Sequence, residues 1–378
     1  MHRPGSGRVP GRAVALETPR RFDRAAILSV AVFVLLPVEV VTGYVALVHH
    51  MGVFALDFHY AFWHTGRDVL HGNFAYPTDL GATADPFVYP PLTAILFAPF
   101  AILPLTAAEW VFTALGIVCV GVALRAFGVK DWRCYGAAFL WPPVLSAIQA
   151  GNITLLLLGG IGLAWAFRAR APVAGLLVAV LVSTKLFLWP LGLWLLATRR
   201  FRAAAWAAGL FVALNSLAWK VVEAGSVGSY LGLLHRISAG EGWDTYTMRV
   251  LAARMGVPAA AGITLTGLAI ALVGVAWWKH GRGDDRMTLA AAVLIALISS
   301  PIVWLHYLAL LLVPVALMRR SLGLIWLLPL VTIDLPGKGS GGLVQTAMGV
   351  GIIAAVAVTV FWRPLSFLQS EQPAAGPA

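Results

Sequence analysis

The acid with the clearest opportunity for chemistry is Asp57, which follows the first long apolar run of the chain, residues 26–48. A helix ending there would hold this carboxylate at a boundary between water and lipid. A carboxylate fixed in such a place can act as a general base on a hydroxyl group whose co-substrate lies in lipid. One aspartate alone is not diagnostic, so the other polar turns decide how it is interpreted.

Lys185 is the most informative cation, because it lies in the sequence STKLF between two short apolar runs. A lysine at the bilayer centre costs roughly 2.5–3.5 kcal/mol on insertion scales, so a lysine near membrane depth needs a reason. One interpretation is that it binds an anionic headgroup such as a phosphate. The other is that its flexible stem lets the ammonium group reach the outer interface. The sequence favours the first and leaves both open.

Amide and imidazole groups mark two further turns. Gln149 and Asn152 enclose Ala150-Gly151, where they either bind sugar hydroxyls or cap helix ends. His306 follows a break at Ser300-Pro301 and either contacts phosphate or bonds to a neighbouring helix. Glu109 lies inside an apolar run, so it must be paired or protonated. No Asp-x-Asp or His/Cys cluster appears among the outer turns, and the sequence therefore predicts no metal site.

The elements that must position these residues are membrane helices. Hydrophobic residues make up 60% of the 378 residues and charged residues 11%, whereas soluble domains carry roughly 25% charged residues. Mean hydropathy is +0.84. The net charge of +11 does not indicate nucleic-acid binding, because the basic residues form small clusters between apolar runs. Cys119 and Cys134 are too few for a disulfide or metal framework.

The apolar runs predict an all-α polytopic membrane protein with about twelve transmembrane helices. They lie at 26–48, 91–124, 133–150, 152–168, 172–184, 186–198, 203–221, 258–278, 287–300, 302–318, 321–334 and 343–361. Most of the 27 basic residues fall in alternate gaps, which predicts a plasma-membrane protein with both termini cytoplasmic. The run 91–124 is too long for one span and is broken by Pro99 and Pro104.

Three domain-level segments follow from this pattern. Residues 1–25 form a basic, disordered cytoplasmic end, residues 26–362 form the membrane domain, and residues 363–378 form a disordered cytoplasmic tail. Two outer loops are long, at about 57–90 and 222–257, and long loops often carry function.

The first outer loop is expected to contain a short amphipathic helix on the outer membrane surface. Phe58, Phe62, Thr65 and Val69 form an apolar stripe at helical spacing. A second, polar stripe consists of Asp57, Tyr60, His64, Arg67, Asp68 and His71. Gly72 stands where a C-terminal cap belongs. A simple strap on the membrane surface is the alternative interpretation.

Several motifs together resemble glycosyltransferase family 87, the polyprenol-phosphate-mannose-dependent transferases of the GT-C superfamily. They are Asp57-Phe58-His59-Tyr60 with Gly66, Leu70, Gly72 and Tyr76-Pro77; Pro86-Phe87-Val88-Tyr89-Pro90-Pro91-Leu92; Gln149-Ala-Gly-Asn152; the Lys185 turn; and Ser300-Pro301…Trp304…His306. The similarity spans about residues 27–362. One position departs from the family, since Leu305 stands where members often have an acid or a second histidine.

The resemblance implies a GT-C-like fold and an inverting transfer of a sugar, expected to be mannose, from a polyprenyl-phosphate donor to a glycolipid or glycan acceptor at the extracytoplasmic face. It maps the catalytic acid onto Asp57. It also implies that Lys185 and His306 contact the donor phosphate. We further expect His59 at the donor phosphate, and substrate contacts from Tyr60, Arg67, Tyr89, Gln149 and Asn152. Membrane lipids are the expected surroundings, and no cofactor is implied.

Other functions stay open on the sequence alone. A polyprenyl-phosphate-arabinose or -glucose transferase would need the same residues. A lipid or polysaccharide transporter or flippase would place its polar site near the bilayer midplane and often shows internal repeats. Here the unusual residues gather at one face, which favours interfacial chemistry. A non-catalytic membrane scaffold is the third alternative.

Overall fold

The computed structural model describes residues 24–77, 86–240, 244–337 and 339–361, and every regular element within them is helical. In chain order the helices are α1 (Arg24–His50), a π-helical turn (Phe58–Trp63), α2 (His64–Leu70), α3 (Pro91–Ile102), α4 (Leu105–Phe127), α5 (Trp132–Phe139), α6 (Pro142–Ala150), α7 (Thr154–Ala166), α8 (Ala171–Thr184), α9 (Leu186–Ala197), α10 (Phe201–Val221), α11 (Val227–Gly240), α12 (Met248–Arg254), α13 (Ala259–Ala276), α14 (Asp285–Ser299), α15 (Leu305–Met318), α16 (Leu324–Asp334) and α17 (Leu343–Phe361).

Five of the described helices are long and apolar enough to cross a bilayer alone: α1, α4, α10, α13 and α17. Helices α6 and α7 would make a sixth span together, although they bend by 115° at their junction. Five shorter apolar helices accompany them: α3, α8, α9, α15 and α16. The predicted all-helical membrane architecture is present, while the count of twelve crossings depends on the short helices and stays a prediction.

Prolines set several of the boundaries. Pro104 directly precedes α4, so the long run 91–124 is divided as its prolines predict. The run 133–150 is also divided, into α5 and α6, because Pro142 begins a new helix after Trp141. The expected disordered ends, 1–25 and 363–378, lie outside the described residues except for Arg24 and Ala25, with which α1 begins.

The helix of the first outer loop packs against protein. Phe58 and Phe62 are fully buried, and their rings stack on Phe112 of α4 at 4.7 Å and on Phe97 of α3 at 4.3 Å. Gly72 follows α2 in the left-handed conformation, at φ +70°, where a cap was expected. The expectation that this helix lies on the membrane surface is not confirmed, because Phe58 and Phe62 are buried against α3 and α4. The sequence could not distinguish the two cases, since lipid-facing and core-facing stripes have the same period.

The second outer segment, expected at 222–257, contains α11 and α12. Tyr230, Leu233 and Ile237 form the buried face of α11 and pack against Val88 and its neighbours from the first outer segment. Residues 78–85 of that first segment lie outside the described residues. The two outer segments therefore contact each other through apolar side chains.

Helices α4 and α7 approach closely through small residues. Gly159 of α7 faces Cys119 of α4, and Gly162 faces Ala123. A methyl group added at Gly162 would lie 2.7 Å from the Cα atom of Ala123. Small residues at such contacts drive helix association in lipid, where the hydrophobic effect between helices is absent. This contact packs α7 closely against α4.

We expect Gly162→Ala to lower the thermal unfolding midpoint in detergent, because overpacking a helix contact typically costs about 1–3 kcal/mol. Gly121→Ala is the matched control, since Gly121 lies on α4 with no atom within 4 Å of the added methyl group. Unfolding followed by tryptophan fluorescence gives the measurement. Equal midpoints for both variants would contradict the close contact.

Asp131 connects the start of α5 to the loop between α15 and α16. Its carboxylate accepts hydrogen bonds from the Arg133 side chain (Nη2, 2.9 Å), the Arg133 backbone (3.1 Å) and the backbone N–H of Leu322 (2.9 Å). Asp131 also caps α5. These donors, with the Arg133 side chain foremost, hold the pKa of the Asp131 carboxyl group below its ordinary value.

A group whose pKa is lowered by folding stabilises the native state above its unfolded pKa, which for aspartate is about 3.9. That stabilisation is lost as the pH falls through the lower folded pKa. We therefore expect Asp131→Asn to lower the unfolding midpoint at pH 7 and to approach the wild type below about pH 4. Asp334→Asn, at an exposed acid, is the control for charge alone. A pH-independent difference would contradict the ionic origin.

Candidate active site

Asp57 lies just before the π-helical turn, with a half-buried side chain. Two residues earlier, the buried Ala55 adopts a left-handed backbone conformation at φ +53°. The Ala55 N–H donates to the backbone carbonyl of Gln149 at 2.7 Å. A positive φ is uncommon for alanine and persists only where the surroundings fix it. The direction of the chain at Asp57 is thus set by a contact with the α6–α7 junction.

That junction is the Gln149-Ala-Gly-Asn152 turn. Gly151 ends α6 at φ +61°, and a Cβ atom there would lie 2.9 Å from both Ala55 and Phe58. Only glycine fits, because the conformation and the space both exclude a side chain. The Nδ2 group of Asn152 donates to Oδ2 of Asp57. The turn therefore holds the first outer loop in place. This role differs from the sugar binding and the helix capping that the sequence suggested for its amides.

Lys185 ends α8 and is only 7% exposed. Its ammonium group has no hydrogen-bond partner among the described residues and lies over aromatic faces. Nζ is 3.7 Å from the ring centre of Tyr307, 5.3 Å from that of Tyr89 and 5.9 Å from that of Phe187. The carboxylate of Asp57 is within electrostatic range. Ring faces attract a cation without neutralising it.

His306 lies in the first turn of α15 and is 5% exposed. Its Nε2 atom is buried without a hydrogen-bond partner in the described part of the chain. The neighbouring ring of Tyr307 is 4.9 Å away, centre to centre, so His306 and Lys185 contact the same tyrosine. Buried polar groups normally have partners, so an unpartnered ammonium group and an unpartnered imidazole nitrogen beside the same tyrosine indicate a place for a polar ligand.

A cavity of about 240 Å³ joins these groups. The sequence-predicted residues that line it are Asp57, Tyr89, Gln149, Asn152 and His306. Lys185 stands directly behind two of the lining residues, Tyr89 and Tyr307, whose rings its ammonium group contacts. An acid and an imidazole from distant parts of the chain therefore line one cavity, and a buried cation lies behind its wall.

Besides Lys185, three sequence-predicted residues do not line this cavity. His59 pairs with Glu109, at 3.3 Å from Nδ1 to Oε1, which gives that acid the partner it was expected to need. Tyr60 is exposed, and the guanidinium group of Arg67 lies 5.6 Å from the ring centre of Trp63. The roles assigned to His59, Tyr60 and Arg67 stay predictions.

The segment after α16, where Gly337 lines the cavity, was not predicted from the sequence as part of the site. Contacts from the second outer segment hold it. The Tyr246 hydroxyl donates to the Pro336 carbonyl at 2.8 Å, and Asp244 accepts from the Ser340 backbone at 2.8 Å. The available signal was the glycine-rich sequence PGKGSGG at 336–342. Among the residues that the structure describes, no cluster of three or more His, Cys, Asp or Glu side chains suits a metal ion.

Comparison with known proteins identifies relatives over most of the chain. A polyprenol-phosphate-mannose-dependent alpha-(1-2)-phosphatidylinositol pentamannoside mannosyltransferase of Mycolicibacterium smegmatis is 28% identical over 332 residues, covering 80% of this chain and 75% of that protein. Its namesake from Mycobacterium tuberculosis strain CDC 1551 is 28% identical, covering 74% and 67%. A phosphatidylinositol mannoside mannosyltransferase of Mycobacterium tuberculosis strain H37Rv is 26% identical, covering 65% and 64%. No solved structure matches.

The model of glycosyltransferase family 87 matches residues 87–314, which is more than half of the chain. The matched segment includes Tyr89, the Gln149–Asn152 turn, Lys185 and His306, and so contributes most of the cavity described above. Family and site therefore coincide on the same part of the molecule, and this chain is a membrane glycosyltransferase belonging to family 87.

Proposed function

We propose that this protein transfers a mannosyl group from a polyprenyl-phosphate carrier to a phosphatidylinositol mannoside or a similar glycolipid. The names of the relatives supply the donor and acceptor classes. The observation that best supports the proposal is a cavity lined by Asp57 and His306, with the buried ammonium group of Lys185 behind the tyrosine side chains of its wall. A sugar on a lipid phosphate already carries a good leaving group, so the reaction requires only a base and a site for the departing phosphate.

In the proposed mechanism, Asp57 removes the proton from an acceptor hydroxyl group as its oxygen attacks the anomeric carbon. The bond from that carbon to the phosphate oxygen breaks, and the electron pair leaves with the polyprenyl phosphate. Lys185 and His306 stabilise this phosphate, on which negative charge develops. A single displacement of this kind inverts the anomeric configuration. Charge stabilisation is strong here because both groups are buried.

The lipid part of the donor has a suitable path next to the cavity. A groove of about 470 Å³ runs along α10 and α11 and is lined by Pro90, Leu186, Phe211, Trp219 and Tyr230. Pro90 and Leu186 directly follow Tyr89 and Lys185 in sequence, so two groove-lining residues are chain neighbours of a cavity-lining residue and of the proposed phosphate ligand. We place the isoprenoid chain in this apolar groove.

The proposed reaction takes place at the extracytoplasmic face of the plasma membrane. The basic clusters in alternate gaps support this orientation, in which the cavity is opposite to most of the arginines and the termini are inside. Polyprenyl-phosphate arabinose and glucose remain alternative donors, because the contacts proposed here involve the phosphate and the base. The transporter or flippase considered from the sequence alone is not supported, because the chain belongs to a glycosyltransferase family.

Asp57→Asn should reduce turnover by about 10²–10⁴-fold, which is the usual contribution of a general base. The assay uses purified protein, polyprenyl phosphate mannose and phosphatidylinositol mannosides, with the product measured by mass spectrometry. Asp68→Asn is the control, because Asp68 is an exposed acid on α2 that does not line the cavity. Wild-type turnover in Asp57→Asn would contradict the proposed role of Asp57 as the base. Turnover with polyprenyl-phosphate glucose or arabinose, but not with the mannose donor, would contradict mannose as the transferred sugar.

Lys185→Met should reduce kcat by about 10²–10³-fold, the effect of removing one preorganised group from developing charge, and should weaken donor binding. Methionine keeps much of the volume and lacks the charge. Lys220→Met, at an exposed lysine on α10, is the matched control. Donor affinity is measured by titration with polyprenyl phosphate. Unchanged donor affinity together with unchanged kcat would contradict the proposed role of Lys185 at the donor phosphate.

A further inference from the structure

The side chain of Asn152 is almost completely buried, at 3% exposure, and both ends of its amide are engaged within the protein. Oδ1 accepts two hydrogen bonds from Thr154, one from the backbone N–H at 3.1 Å and one from Oγ1 at 2.7 Å. Nδ2 donates to Oδ2 of Asp57. The two acceptor positions of the carbonyl oxygen are thus occupied by Thr154, which leaves that oxygen unavailable to a sugar.

The orientation of this amide follows from chemistry. A backbone N–H only donates, so the atom of Asn152 that faces Thr154 must be the oxygen. The NH₂ group is thereby directed at Asp57. Thr154 is the first residue of α7 and is 1% exposed, so the amide is fixed to the start of a packed helix. A hydrogen bond to one carboxylate oxygen from such a fixed donor restricts rotation of the carboxylate plane.

The backbone reinforces the same geometry from the other side. The Ala55 N–H donates to the Gln149 carbonyl, and Gly151 packs against Ala55 and Phe58 without space for a Cβ atom. The main chain on either side of Asp57 is therefore held by the same four-residue turn that supplies Asn152. Backbone and side chain of the acid are therefore both oriented by the α6–α7 junction.

We propose that Asn152 is a positioning residue, which holds the Asp57 carboxylate in the orientation needed to take a proton. The proposal rests on the proposed role of Asp57 as the base. It gives the Asn152 amide a role different from the sugar contact considered from the sequence. Thr154 acts one step further away, by orienting the amide. Misplacement of a reacting group by about 1 Å can cost on the order of 10²-fold in rate.

The test compares Asn152→Leu and Asn152→Asp with the wild type in the mannosyl transfer assay. Leucine removes the donor at similar volume, and aspartate keeps the acceptor for Thr154 but places a second carboxylate beside Asp57. We expect kcat to fall by about 10²-fold in both variants, with KM for donor and acceptor within about threefold of the wild type. Thermal unfolding midpoints identify any variant that fails to fold.

A second pair of variants keeps the test independent of Asn152 itself. Thr154→Val removes one of the two hydrogen bonds to the amide oxygen, whereas Thr154→Ser retains it. We expect Thr154→Val to lower kcat and Thr154→Ser to recover most of the loss, again without a change in KM.

A double-mutant comparison separates positioning from direct catalysis. If Asn152 acts only through Asp57, Asn152→Leu causes no further loss in the Asp57→Asn background, measured as residual transfer from radiolabelled donor. A further loss there, or a raised acceptor KM with kcat retained, would overturn the proposal. Failure of the general-base role is distinguishable, because Asp57→Asn alone would then keep wild-type turnover.

Discussion

The site depends on one close approach of two backbones. Gly151 meets Ala55 and Phe58 at a distance that leaves no space for a side chain, and Ala55 adopts a left-handed conformation to form its hydrogen bond with Gln149. Strain of this kind persists only where surrounding packing fixes it. The stacked rings of Phe58 and Phe62 on α3 and α4 supply that packing. The position of Asp57 is therefore a property of the tertiary fold.

The ammonium group of Lys185 illustrates how a charge is kept both buried and available. A carboxylate in direct contact would neutralise it and would compete with an anionic ligand. The rings of Tyr307 and Tyr89 attract the cation through their negative faces. Its N–H groups have no hydrogen-bond partner among the residues that the structure describes. Burial without a bonded partner is costly, so this arrangement favours the entry of an acceptor such as a phosphate oxygen.

Much of the architecture could be predicted from sequence because its causes are local. Apolar runs, prolines and a capping glycine specify helices and breaks. The unequal distribution of basic residues between the turns predicted that Asp57, Lys185 and His306 lie at one face of the molecule. The orientation of the Phe58–Phe62 stripe could not be predicted, since a helix facing lipid and one facing protein show the same periodicity. Pairing of His59 with Glu109, and of Asn152 with Asp57, depends on contacts between residues about 50 and 95 positions apart.

The attachment of the segment after α16 has a consequence for exchanging parts between relatives. Pro336 and Ser340 are bonded to Tyr246 and Asp244, and Arg254 donates to the Gly341 carbonyl, so this segment is fastened to the second outer segment. The two stretches form one unit in space, although about 90 residues separate them in the chain. A chimaera that imports either stretch alone would combine mismatched halves, so both stretches have to be exchanged together.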